Sequence, residues 1–405
     1  MKLWLQKLNY LLIFLFCFFL PTQLGKHFFL DFSYIRGIRI DYLAPTLHVT
    51  DLLAIALILL HLPLLIQLFK KRPLLYAIAI FIITVLFSQS PWLGVYRLAK
   101  GFEWLGIFVI FSHLKQKDSL LFKGMIISFF AGTIMELSNA LLQLTYKQSV
   151  QGIFYWLGER RLSLTTPDVA IATIGGPLFL RPYATFSHPN SMGGFYLLLY
   201  FFILVFPGFR ALPRVRSVTA FLAMLLVFLS FSKTVIAVFV LLNILIFVDV
   251  ILKGKCRFCG ITRFIILIVV AGVFSASHGD PYTIDKRITL VDNALDMIFK
   301  HPIIGVGVGN YLLEQAKYVN HYTSFFVQPV HNIVLLFFAE TGIVGGGTIL
   351  ALFYKQFAKL ITHRSFQFCF AAVFLTGMLD HYWLTLQQNF LLTAVVFGIL
   401  TQLEN

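Results

Sequence analysis

HNIVLLFFAETGIVGGGTILALFYKQFAKLITHR, residues 331–364, decides the fold of this chain. Between residues 333 and 354 it carries one charged side chain, Glu340, among apolar and small residues. A helix needs about 20 such residues to cross the hydrocarbon core of a bilayer. A barrel strand would instead alternate over about ten residues, and this run does not alternate. It reads as a spanning helix with His331 and Asn332 at one mouth and Lys355, Lys359 and Arg364 at the other.

The rest of the chain repeats this theme. Of 405 residues 59% are hydrophobic and only 12% charged, against about 25% charged in a soluble domain. That excludes a string of soluble domains. Eleven further apolar windows fall at 8–24, 50–69, 74–89, 99–113, 119–145, 191–208, 217–230, 233–252, 264–277, 366–380 and 389–402. With the run at 330–354 they predict an all-α polytopic membrane protein of about twelve spans, one integral membrane domain over residues 1–405. Met1–Leu20 starts like a signal peptide, but PTQLGKH offers no small-x-small cleavage site, so an uncleaved first span is expected.

The net charge of +15 would suggest nucleic acid in a soluble protein. Here 18 of the 32 Lys and Arg residues fall in the connections on one side of the spans. By the positive-inside rule that side is cytoplasmic and holds both termini. The charge is then an orientation signal, and nucleic acid is not an expected partner. Cys256 and Cys259 form a lone C-x-x-C, short of the four ligands of a structural zinc site, and are expected to be reduced thiols.

The chemistry is expected in the outer loops, above all 146–190 and 278–329. In the second, Ile288, Val291, Leu295 and Ile298 fall at helical spacing between Lys286 and Lys300. They predict a helix lying along the membrane face or packed onto the bundle. It should stop at HPIIGVGVGN, with a second short helix after Asn310. No strand precedes Gly305, Gly307 and Gly309, so they are not a dinucleotide fingerprint. They serve either close backbone approach or a phosphate cradle. Asp280, Asp285, Asp292 and Asp296 are scattered in this loop and predict no metal site.

Loop 146–190 ends in FLRPYATFSHPNSMGG. Arg181, stiffened by Pro182, is either a membrane-surface anchor or an anion partner, and His188-Pro189-Asn190 should open a helix. Glu136 and Glu340 are the expected deep charges. Glu340 lies nine residues from His331, roughly 13 Å along a helix, so it should tie this helix to a neighbour rather than touch His331. Gly342, Gly345, Gly346 and Gly347 read as close helix packing. His331, at the water interface, is either a hydrogen-bonding anchor or an imidazole able to take a proton from a hydroxyl. Asp380-His381 is expected to line an acceptor entrance.

Taken together, these segments resemble the O-antigen ligase and O-antigen polymerase superfamily. His331-Asn332, nine residues, Gly342, two residues, Gly345 follows the ligase pattern, and RPYATFSHPN and the run from Arg287 through HPIIGVGVGNY look like family loop segments. LSFSK at 229–233 departs from the usual Ser-x-Ser-Arg step by ending in Lys233. The resemblance implies a GT-C-like helical scaffold in the bacterial inner membrane. It implies transfer of a glycan en bloc from a polyprenyl (undecaprenyl) diphosphate carrier to an acceptor hydroxyl at the periplasmic face, without metal or cofactor.

On that reading His331 is the base. Arg181 and Arg287 pair the diphosphate, with Arg160 and Arg161 as helpers. His188, Asn190, Asn332, Glu340, Gly342 and Gly345 support the site. The ligase-like spacing favours a lipid A core acceptor. An O-antigen or exopolysaccharide polymerase, whose acceptor is another carrier-linked glycan, and a protein O-oligosaccharyltransferase remain alternatives. Outside enzymes the rival is a transporter of lipid-linked sugars, which should carry paired charges deep in the membrane and repeated halves.

Overall fold

The computed structural model describes residues 3–114, 118–173, 175–252, 267–274, 283–318 and 326–404. Helix occupies part of each of the twelve apolar windows. In order these are α1 (Leu3–Phe19), α2 (Val49–Leu60) with α3 (Leu62–Leu68), α4 (Arg72–Leu86), α5 (Pro91–Ser112), α6 (Ser119–Tyr146), α7 (Pro189–Val205), α8 (Pro213–Leu229), α9 (Lys233–Leu252), α10 (residues 267–274), α13 (Ile333–Phe357), α14 (Arg364–Gly377) and α16 (Gln387–Leu400). The loops add α11 (Thr283–Lys300), α12 (Tyr311–Gln315) and α15 (Tyr382–Thr385). By length and composition α6 and α13 can cross a membrane, and so can α2 with α3 if this pair, bent by 80°, is one span. Cys256, Cys259 and Asp280 lie outside the described residues.

The chain separates into two compact units interleaved along the sequence. The first holds Met1–Leu24, Lys115–Asp280 and Arg364–Thr376. Its core is α7, buried along almost its whole length. The rings of Phe202, Phe206 and Phe209 meet one another there, and those of Phe206 and Phe209 also meet Phe122 of α6. His188 caps α7 through its ring Nδ1, which accepts from the Asn190 amide at 3.1 Å, and Pro189 takes the first helical position, where no amide is needed. The expected helix entry is therefore present.

Two polar side chains of α6 hold the RPYATF stretch. Glu136, fully buried, accepts the Thr185 amide at 3.0 Å and hydroxyl at 2.6 Å. Gln143 accepts the amides of Tyr183 and Ala184, both at 2.8 Å, and donates to Glu159 at 2.6 Å. Glu136 sits deep, as expected, and serves as a strut.

The second unit comprises Gly25–Leu114, Pro281–His363 and Gly377–Asn405. Residues 25–48 form two small antiparallel pairs, β1 (Gly25–His27) with β4 (Thr46–His48) and β2 (Tyr34–Ile35) with β3 (Ile38–Arg39). In the loop after α10 the two expected helices are present as α11 and α12. The buried face of α11 is Leu290, Ala294 and Met297, packed with Tyr311, Val330, Leu336 and Ala339. The expected stripe was offset: Val291 and Ile298 flank this core, whereas Ile288 and Leu295 are exposed. All these positions are apolar, so periodicity alone could not choose between neighbouring faces.

A second correction concerns the deep charges. Besides Glu136 and the half-buried Glu340, Asp51 and Glu103 are buried, and Lys100 lies between them at 2.6 and 3.4 Å. Gln387 donates to both acids, joining α2, α5 and α16. The cluster was hidden because Asp51 opens α2 and the other two stand among aromatic residues. Lys100→Met would leave two buried carboxyls without their cation, and is expected to cost about 3–5 kcal/mol. Thermal unfolding of the detergent-solubilised chain checks this, and an unchanged midpoint would mean that the cluster is structurally idle.

Helix α13 is broken. Gly342 has φ +61° and ψ −170°, a region essentially restricted to glycine. The break leaves carbonyls on one side and amides on the other without helical partners. The glycine loop supplies them. Val306 N–H donates to Ala339 O at 2.9 Å and Gly307 N–H to Glu340 O at 3.0 Å, while Ile343 N–H reaches Pro302 O at 2.8 Å and Val344 N–H reaches Ile303 O at 3.1 Å. The expectation of helix–helix packing at these glycines is thereby corrected. Gly342 makes the break, Gly345 and Gly346 lie against Thr341 and Phe338 of their own helix, and a Cβ on Gly347 would meet nothing.

Candidate active site

His331 and Asn332 stand at the entry to α13. Asn332 is the cap: its Oδ1 accepts from Val334 and Leu335 N–H at 2.9 and 3.0 Å, and its Nδ2 donates to Met378 O at 3.1 Å. A cap needs a short side chain with an acceptor oxygen, which accounts for the residue type after the histidine. His331, held just outside the helix, is half-buried, and its Nδ1 has no partner among the described residues.

Asp380 and His381, 49 and 50 residues further on, meet His331 here. One side-chain nitrogen or oxygen from each of the three lies within 4.8 Å of the others. The imidazoles of His331 and His381 meet edge to face at 5.1 Å. Asp380 Oδ1 accepts the His381 amide at 2.8 Å. The Thr385 hydroxyl donates its one hydrogen to His381 O at 3.2 Å and stands 2.7 Å from His381 Nδ1. In the tautomer that carries its proton on Nδ1, the ring donates to this hydroxyl and keeps its lone pair on Nε2. Tyr42 closes the far side of His381 at 5.6 Å, and Arg97 donates to the Tyr42 carbonyl at 3.1 Å.

Arg287 of α11 faces this cluster, and its Nε has no hydrogen-bond partner among the described residues. Burial pulls the His331 imidazole below its ordinary pKa; the Asp380 carboxylate opposes this and the Arg287 charge adds to it. Burial, with His331, Arg287 and Arg97 adding against Asp380, pushes His381 down to about 3. Both rings are neutral near pH 7. The arrangement offers a neutral imidazole, a carboxylate able to stabilise it once protonated, and a guanidinium for an anion.

The other expected site residues divide. Glu340 ties α13 to the glycine loop, as expected: the amides of Gly309 and Tyr311 donate to its carboxylate, and Arg97 adds an opposite charge. The glycine amides are thus committed to protein oxygens, Gly305 to His301 O at 3.0 Å included, which speaks against the phosphate cradle. Arg181, in the first unit, holds Ser230 O through Nε at 3.0 Å and Nη2 at 2.7 Å, and Asn190 Oδ1 through Nη2 at 2.7 Å. It fastens the end of its loop to the turn between α8 and α9, where Phe231 has φ +50°. Asn190 is a partner in that fastening. Arg160 and Arg161 are exposed on the same unit.

Asp380 and His381, expected to line an acceptor entrance, adjoin His331. No local signal pairs residues so far apart. Arg97 and Thr385 were missed for the same reason. Residues 218–350 match the family model for O-antigen ligase, a stretch that contains Arg287, His331, Asn332, Glu340, Gly342 and Gly345 and ends before Asp380. No curated protein matches the chain significantly.

Proposed function

We propose, from the O-antigen ligase superfamily membership that this match supports, that the chain moves a glycan from a polyprenyl diphosphate carrier to an acceptor hydroxyl, with His331 as base. The observation that carries the reading is the neutral His331 imidazole, its Nδ1 without a hydrogen-bond partner among the described residues, beside the Asp380 carboxylate and the Arg287 guanidinium. The acceptor hydroxyl gives its proton to His331, and its oxygen forms the new bond to the sugar carbon. The bond from that carbon to the diphosphate oxygen breaks, and its electron pair stays on the phosphate. Asp380 stabilises the imidazolium, as a fixed carboxylate does beside a catalytic histidine. Arg287 pairs the charge that grows on the leaving diphosphate, where a forked guanidinium fits phosphate oxygens. Displacement in one step inverts the sugar carbon.

Arg181 is proposed as the fastener of its loop, and Arg160 and Arg161 as cations on the surface of that same unit. The distribution of basic residues supports a reaction at the periplasmic face of the inner membrane, with both termini cytoplasmic. The proposed acceptor is a lipid A core.

Purified full-length chain in lipid vesicles, given carrier-linked glycan with a lipid A core, a second carrier-linked glycan or a peptide, tests this by the mass of the product. Glycan on the lipid A core supports the ligase reading. A lengthened carrier-linked glycan makes the chain a polymerase, a modified peptide makes it a protein glycosylase, and transfer to none of the three overturns the reading. Arg287→Gln is expected to lower kcat about 100-fold with unchanged membrane yield. Turnover equal to that of the parent chain would remove Arg287 from the mechanism.

A further inference from the structure

We propose that His331, Asp380 and His381 also form a binding site for a divalent transition-metal ion of the zinc type, and that its occupancy shuts off transfer. The inhibition rests on His331 being the base proposed above; the binding does not.

Three donors lie within 4.8 Å of one another, close enough for small side-chain adjustments to bring them round one ion. Two imidazoles and a carboxylate are the donor set of open zinc sites, in which three protein ligands leave a fourth position for water or an anion. Magnesium and calcium prefer shells of oxygen and find one carboxylate here.

The surroundings of the donors are those of metal ligands. A ligating histidine gives its second N–H to a nearby oxygen, which fixes the ring and its tautomer. His381 Nδ1 has such an oxygen, the Thr385 hydroxyl, at 2.7 Å, and donation to it leaves the lone pair of Nε2 for an ion. The Asp380 carboxylate is oriented by the His381 amide at 2.8 Å. His331 contributes the independent observation: its Nδ1 is buried with no hydrogen-bond partner among the described residues. A buried polar nitrogen without a partner is costly, and a metal satisfies it.

The charges facing the cluster are Asp380, Arg287 and Arg97. Two guanidinium groups against one carboxylate weaken the attraction for a dication, so the ion binds reversibly and favours an anionic fourth ligand. Asp380 and His381 are buried while His331 is half-exposed, so the ion reaches the site from the His331 side. A bound ion takes up the His331 lone pair that the acceptor proton needs.

The test uses the full chain in lipid vesicles with Cys256→Ser and Cys259→Ser, which silence the separate C-x-x-C pair. Cobalt(II) serves as the coloured probe for zinc. Visible absorption bands of a four- or five-coordinate ion should appear, vanish when zinc displaces the cobalt, and persist in excess magnesium. Saturating zinc should lower transfer about 100-fold, the order expected for loss of a general base, and a chelator should restore it. His381→Gln should abolish the bands, and whatever transfer that variant retains in chelated buffer should no longer respond to zinc. Absence of cobalt bands in the parent chain, or bands that survive His381→Gln, overturns the site. Bands that His381→Gln abolishes, with transfer indifferent to zinc, leave the metal site standing and sink His331 as the base.

Discussion

His331→Ala is expected to lower glycan transfer at least about 100-fold, the contribution typical of a positioned general base. Insertion and stability should hardly change. The side chain is half-exposed and Nδ1 bonds to nothing among the described residues, so its removal breaks no hydrogen bond there. Asn332 still caps α13 through Val334 and Leu335 N–H. A loss of stability within about 1 kcal/mol, beside a loss of turnover of about 100-fold, separates a chemical role from a structural one. Asp380→Asn keeps the shape and removes the charge that stabilises the imidazolium, so it should slow the same step with the donor KM unchanged. The measurement is turnover of carrier-linked glycan by purified variants at matched membrane yield. Transfer by His331→Ala near the parent rate would sink the proposed base.

The second large effect is structural. Gly342→Ala puts a Cβ 2.3 Å from the Ile303 carbonyl oxygen at a backbone conformation that L residues avoid. Relief by rotating the backbone straightens the helix and pulls apart the four backbone bonds to the glycine loop. The expected cost is more than about 3 kcal/mol, combining backbone strain with lost hydrogen bonds. It should appear as a lowered unfolding midpoint and poor yield. Gly347→Ala is the control: its Cβ would meet nothing within 4 Å, and at a helical position alanine is favoured by about 1 kcal/mol. Equal midpoints for the two variants would show that the break is not needed.

What could be read in advance followed from locality. Long apolar runs force helix wherever they fall, so helix appeared in every window. A cap written as His188-Pro189-Asn190 works within three residues. The break in α13 was not legible, because a glycine in an apolar run signals close packing as readily as a discontinuity, and the residues that satisfy the break lie some 40 positions upstream. Arg181 looked like an anion partner because its own partners, Ser230 and Asn190, are fixed by tertiary contact. Lys100 stood unremarked in an apolar window, because its partner Asp51 lies 49 positions away and reaches it only in the folded chain. His331 was singled out by type and position, whereas the carboxylate beside it needed the folded chain.

The loop that repairs the break in α13 does so with main-chain atoms alone, so it is blind to the side chains at 303, 306 and 308. It is sensitive to counting. Arg287 lies 18 residues before Gly305, most of them in α11, and the loop is pinned at one register on the helix that His331 opens. One residue added to α11 between Arg287 and the loop would swing Arg287 about 100° around the axis and shift it about 1.5 Å. The pinned loop therefore acts as a vernier, in which chain length rather than side-chain chemistry sets the guanidinium against the imidazole.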